Sequence, residues 1–114
     1  MKSLLHNVLG TNYLVKIGGN EEIGGNEEHC GECKIFSKEI LISTDKKEEI
    51  TDEELEVRTR EVVAHEIFHA YVNEAGLDLD EEMEERLAYF YMKMWRKMNN
   101  SILEVLDKTG FLDT

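Results

Sequence analysis

The sequence predicts an α+β fold, on three observations. Short β-branched and aromatic runs crowd the first half of the chain, and two long stretches with helical caps fill the second. Proline is absent, so no helix is forced to break. With 114 residues the chain has room for one hydrophobic core and not two, which predicts a single domain over residues 1–114.

The first strand-like run is Tyr13-Leu14-Val15-Lys16-Ile17, which stops at Gly18-Gly19. A tandem duplication follows: Ile17-Gly18-Gly19-Asn20-Glu21-Glu22 recurs as Ile23-Gly24-Gly25-Asn26-Glu27-Glu28. The unit is far shorter than a solenoid repeat and Gly-Gly-Asn builds no core, so it reads as a flexible loop. Its glutamates lack the spacing of a calcium-binding EF-hand. Cys30 and Cys33 then form a C-x-x-C. A structural zinc site needs a second such pair, and a thioredoxin-type motif needs the pair to open a helix. Reduced thiols at a hairpin base are expected, with a second metal site using His29, or a redox pair, as the alternatives. Lys34-Ile35-Phe36 and Ile40-Leu41-Ile42-Ser43 bracket Ser37-Lys38-Glu39 as a hairpin or one bent strand, followed by a polar linker over 44–49. These segments predict a small sheet of about three strands.

Thr51-Asp52-Glu53-Glu54 is a capping box, and Ile50 before it can staple onto Leu55. The helix it opens is expected to run to Ala75, with Gly76 as its C-terminal cap. A second helix from near Asp80 carries an apolar stripe at Met83, Leu87, Phe90, Met94 and Met98, widened by Tyr91 and Trp95. That stripe reads as core. Ser101-Ile102-Leu103-Glu104 is a second capping box, predicting a short last helix that ends at Gly110.

The net charge of −12, from 25 acidic against 13 basic residues, argues against nucleic acid as a partner. No apolar run approaches the length of a membrane span, and residues 1–10 are too weakly apolar for a secretory signal. A cytoplasmic protein with no membrane partner is the expectation; its oligomeric state is open.

The chemistry lies in His65-Glu66-Ile67-Phe68-His69. Positions four apart share a helix face, so both imidazoles can reach one Zn²⁺. Glu66 is rotated about 100° from them and flanks the metal, where its carboxylate can act as general base. The bland reading, two surface histidines on an amphipathic helix, conflicts with the apolar neighbours Val62, Val63, Ile67 and Phe68. Hydrolytic zinc needs a third protein ligand. None follows at the spacing of a third histidine, but Glu81, Glu82, Glu84 and Glu85 open the next helix. If the helices fold back at 76–80, Glu85 stands about as far from the turn as His69 does, and Glu82 stands closer to it. Glu85 is therefore the favoured ligand, Glu82 the alternative, and Glu81 and Glu84 solvated surface. Glu74 and Tyr71 are candidates to orient an imidazole. Tyr89 and Arg86 are candidates to donate to an oxyanion.

Strands first, then His65-Glu66-Ile67-Phe68-His69-Ala70, then Gly76-Leu77 and an acidic helix with Glu85-Arg86-Leu87-Ala88: over about residues 34 to 95 this resembles the small glutamate-zincins. That group includes the minigluzincin peptidases and the ImmA/IrrE-type metallopeptidases of phages and mobile elements. The resemblance implies a zincin-like fold, with a three-stranded sheet whose edge strand lines the cleft and a backing helix that carries a glutamate ligand. It also implies zinc-dependent endopeptidase activity on a polypeptide substrate, with His65, His69 and Glu85 as ligands and Glu66 as base. The edge strand would be Ile40 to Ser43. The alternative is a catalytically silent or latent, zinc-stabilised interaction or regulatory module on the same scaffold.

Overall fold

The computed structural model describes residues 1–26, 28–46 and 49–111. Glu27 of the duplicated segment and Lys47 and Glu48 of the polar linker lie outside the described residues. The fold is α+β: β1 (Lys2–Val8), β2 (Thr11–Gly18), α1 (Asn20–Ile23), β3 (Gly31–Lys34), β4 (Glu39–Ser43), α2 (Asp52–Ala75) and α3 (Glu81–Lys108). The strands form one sheet in the order β1-β2-β4-β3. β2 and β4 run parallel, and both outer pairs are antiparallel.

The sheet therefore has four strands where three were expected. The extra one, β1, is an edge strand whose side chains are mostly exposed, so burial imposes no alternation on its sequence. It joins β2 through Leu9-Gly10, both at positive φ (50° and 94°), a tight turn that Gly10 accommodates without strain. β3 begins at Gly31, three residues before the predicted start, and so takes in Cys33. β4 is interior, paired to β2 and β3, with Ile40, Leu41 and Ile42 at most 2% exposed. The edge strand expected at 40–43 is instead β3. A run of three large apolar residues is what a strand covered on both edges and both faces requires.

The duplicated segment is not simply a loop. Its first copy ends β2 and enters α1, where Asn20 and Ile23 are buried and Gly24 caps the turn at φ 71°. Six identical residues thus begin in extended backbone at Ile17 and in a helical turn at Ile23, because neighbouring contacts override so weak a local preference.

α2 has the predicted bounds. The Thr51 hydroxyl accepts from the Glu54 amide at 3.1 Å, and Gly76 at φ 67° donates to Asn73 and Val72. Tyr13, Val15 and Ile17 alternate along β2 onto the same core as Ile40 and Ile42, and Val62, Val63, Ile67 and Ala70 of α2 pack against them. Each fully buried Ile or Val side chain contributes about 1.5–3 kcal/mol relative to exposure. α3 starts as expected, with the Asp80 carboxylate accepting from the Met83 amide at 2.8 Å. It then continues unbroken to Lys108, so the separate short C-terminal helix does not exist. A Ser-x-x-Glu pattern marks a helix start only where free amides await a cap. At Ser101 the preceding turns already supply their partners.

Candidate metal centre

α2 and α3 fold back on each other across 76–80 and bring His65, His69 and Glu85 together. One ligand atom from each lies within 4.8 Å of the others. The two imidazole Nε2 atoms are 3.2 Å apart. Glu85 spans them, with Oε1 2.7 Å from His69 Nε2 and Oε2 3.6 Å from His65 Nε2. Two nitrogens each about 2.0–2.1 Å from one tetrahedral Zn²⁺ stand roughly 3.3 Å apart, so the spacing suits one ion.

A second carboxylate sharpens that test. His69 Nδ1 pairs with Glu84 Oε2. Held as a donor there, Nδ1 leaves the lone pair of a neutral ring on Nε2, which faces the Glu85 carboxylate. Two acceptors in contact need a proton or a cation between them. Two imidazoles and a carboxylate are a donor set that fits Zn²⁺. Burial pushes the His65 pKa down and favours its neutral, ligating form, although Glu85 opposes the shift.

Glu66 is only 6% exposed, and among the described residues its Oε2 is buried with no hydrogen-bond partner. Burial lifts its pKa to about 7; His69 opposes the shift, and Glu85 and Glu32 add to it. Its other oxygen is 4.0 Å from His65 Nε2. β3 crosses α2 at this point. A Cβ on Gly31 would stand 2.4 Å from Val62 Cγ1 and 3.0 Å from Glu66 Cγ, so only glycine lets the strand lie this close. Beside β3 opens a cleft of about 900 Å³, bordered by Gly31, Cys33, His65, Glu66, Glu85 and Tyr89 among others.

Comparison of the chain with protein-family models, with curated proteins and with solved structures finds no match.

The other candidates divide. Tyr89 borders the cleft with its ring centroid 4.8 Å from that of His65. Arg86 turns outward and pairs with Glu82 at 2.7 Å, which leaves Glu82, the alternative ligand, on the surface. Glu84, read as solvated surface, is instead the partner of His69. Its neighbour in sequence, Glu85, masked that role: two adjacent glutamates on α3 address two different nitrogens of one ring. Glu74 orients no imidazole. It accepts from Tyr13 at 2.7 Å, Lys38 at 2.8 Å and Thr11 at 2.9 Å. Tyr71 is 39% exposed.

Cys30 and Cys33 are free thiols. Three residues of largely extended chain separate them by roughly 10 Å, beyond the span of a disulfide. Burial, reinforced by Glu66 and Glu84, pushes the Cys33 thiol up to about 12, which holds it neutral. Among the described residues, no helix is long and apolar enough to cross a membrane.

Proposed function

We propose that this chain is a zinc-dependent peptidase of the small glutamate-zincin kind, hydrolysing a polypeptide held along β3. The observation that carries the reading is the convergence of His65, His69 and Glu85 beside a buried glutamate that borders the cleft and whose Oε2 is unpartnered among the described residues. When bound, Zn²⁺ would supply Lewis acidity toward a water and toward the scissile carbonyl. His65, His69 and Glu85 would hold it, and Glu84 would fix the ring of His69. Glu66 takes the proton from the attacking water and returns it to the leaving amine. A carboxyl group with a pKa near 7 is suited to both transfers, because neither protonation state is strongly favoured at neutral pH.

β3 supplies the means of holding substrate. It is the free edge of the sheet on the cleft side, so its outward amides and carbonyls can pair with an extended peptide by strand addition. Tyr89, which borders the cleft with its ring 4.8 Å from that of His65, would donate to the carbonyl oxygen as charge develops there.

The Glu66→Gln variant tests this reading. It should retain one zinc per chain by metal analysis, yet hydrolyse an unfolded, fluorescently labelled polypeptide about 10²–10⁴-fold more slowly than the parent. A zinc-loaded parent without hydrolytic activity, or a variant as fast as the parent, would overturn it.

A further inference from the structure

α3 is 28 residues long, yet among the described residues only Ala88 in it is buried. Ala88, Met92 and Trp95 share one face, buried or half-buried, and the helix packs on α2. An adjoining flank carries Leu87, Tyr91, Met94, Met98 and Val105, with Ile102 at its margin. Their spacing alternates between four and three residues, apart from Ser101, which is the seam of a paired helix. On this flank Met98 is 50%, Ile102 57% and Val105 59% exposed. The outer turns of α3 thus carry an apolar seam with solvent on it. The Cα radius of gyration, 16.1 Å, exceeds the roughly 13 Å of a compact chain this long, as a projecting helix requires.

Charge points to what covers the seam. The chain carries −12, but residues 93–108 set Lys93, Arg96, Lys97 and Lys108 against Glu104 and Asp107, a net +2. Two copies meeting here keep their acidic surfaces apart, and Lys97 and Glu104, seven residues apart on one side of the seam, offer opposite signs to a second copy. We propose that the outer half of α3 pairs antiparallel with the same helix of a second copy, about a two-fold axis between Asn99 and Asn100. In that register Met94 lies opposite Val105 of the partner subunit, and Trp95 flanks Ile102 of the partner subunit. Lys97 meets Glu104 of the partner subunit, and the symmetry repeats each contact. A parallel pairing would instead set Lys97 beside Ile102 of the partner subunit, with no acidic group to meet. Glu104 holds Lys108 at 2.5 Å on the exposed surface, a contact that solvent lets it exchange. Met98, Ile102 and Val105, with the partly buried Met94 and Trp95, bury on the order of 400 Å² per copy, below the roughly 800 Å² of a standard interface, so the dimer is a weak one.

Sedimentation of the full chain from about 1 μM to about 1 mM at low salt tests the proposal. The mass should rise from 13.2 kDa toward twice that value. Ile102→Glu should stay monomeric with an unchanged melting temperature at low concentration, since Ile102 is exposed in the monomer. Lys97→Glu and Glu104→Lys should each weaken association roughly tenfold, and the two together should restore it. A parent that remains monomeric throughout overturns the pairing. So does a double variant as weak as the singles, which would place any dimer on another surface.

Discussion

Glu84 and Glu85 differ by one position on α3, yet each addresses its own nitrogen of His69. A ring held at Nδ1 presents Nε2 in a fixed direction, and that orientation is worth roughly 10–100-fold in metal affinity at comparable sites. Glu84→Ala should therefore lower zinc affinity by about that factor in competition with a chromophoric chelator, without changing far-UV circular dichroism. Equal affinities would reduce the Glu84–His69 contact to a bystander. At this scale legibility followed geometry. The relation of His65, Glu66 and His69 is fixed by helical periodicity alone, so the sequence displays it. Glu85 required only that two helices fold back at a capped turn. Gly31 and Glu84 required the distance between β3 and α2 and the rotation of α3 about its axis, and no local pattern encodes either.

Elements with strong local chemistry were legible, and those defined by their neighbours were not. Thr51 and Gly76 bound α2 through their own hydrogen bonds and backbone conformation, so its ends could be read directly. β1 buries only Val8, at its end, so no alternation marks it, and the start at Ser101 was a pattern without a function inside a helix already under way. The far end of α2 is tied down by Glu74, which reaches Thr11 and Tyr13 on β2 and Lys38 in the β3–β4 turn. Those three hydrogen bonds, the one from Lys38 above all, hold its carboxyl down at about 2, against 4.5 for a free side chain. A carboxyl depressed on folding stabilises the native state fully above the unfolded value, and the contribution fades as pH falls toward the folded one. Glu74→Gln should lower the urea midpoint by a constant amount from pH 7 down to about 5. The gap to the parent should then close between about pH 4.5 and pH 2. A gap that persists unchanged at pH 2 would mean the charge on Glu74 is irrelevant to how α2 is held.

On the scale of the molecule, the hydrophobic core and the candidate metal ligands are separate structures sharing one helix. Val8, Tyr13, Val15, Ile40, Ile42 and Ala70 form the buried cluster, and none of them is a candidate ligand. This separation divides the peptidase reading from its rival, a module in which zinc serves only to hold the fold. Where a metal replaces a core, removing it unfolds the chain. Here a sheet of four strands and α2 already enclose apolar side chains without it, so a bound ion adds stability only by mass action. At a free zinc concentration of 100 times its dissociation constant that addition is about 2.7 kcal/mol, and a domain of this size shifts by roughly 4–8 °C per kcal/mol. Chelation should accordingly lower the melting temperature by about ten to twenty degrees while the far-UV spectrum and a cooperative transition survive. Ala substitutions at both His65 and His69 should reproduce the chelated melting temperature and make it insensitive to added zinc. Collapse of the fold on chelation would assign the metal to the architecture and favour the structural module over the enzyme.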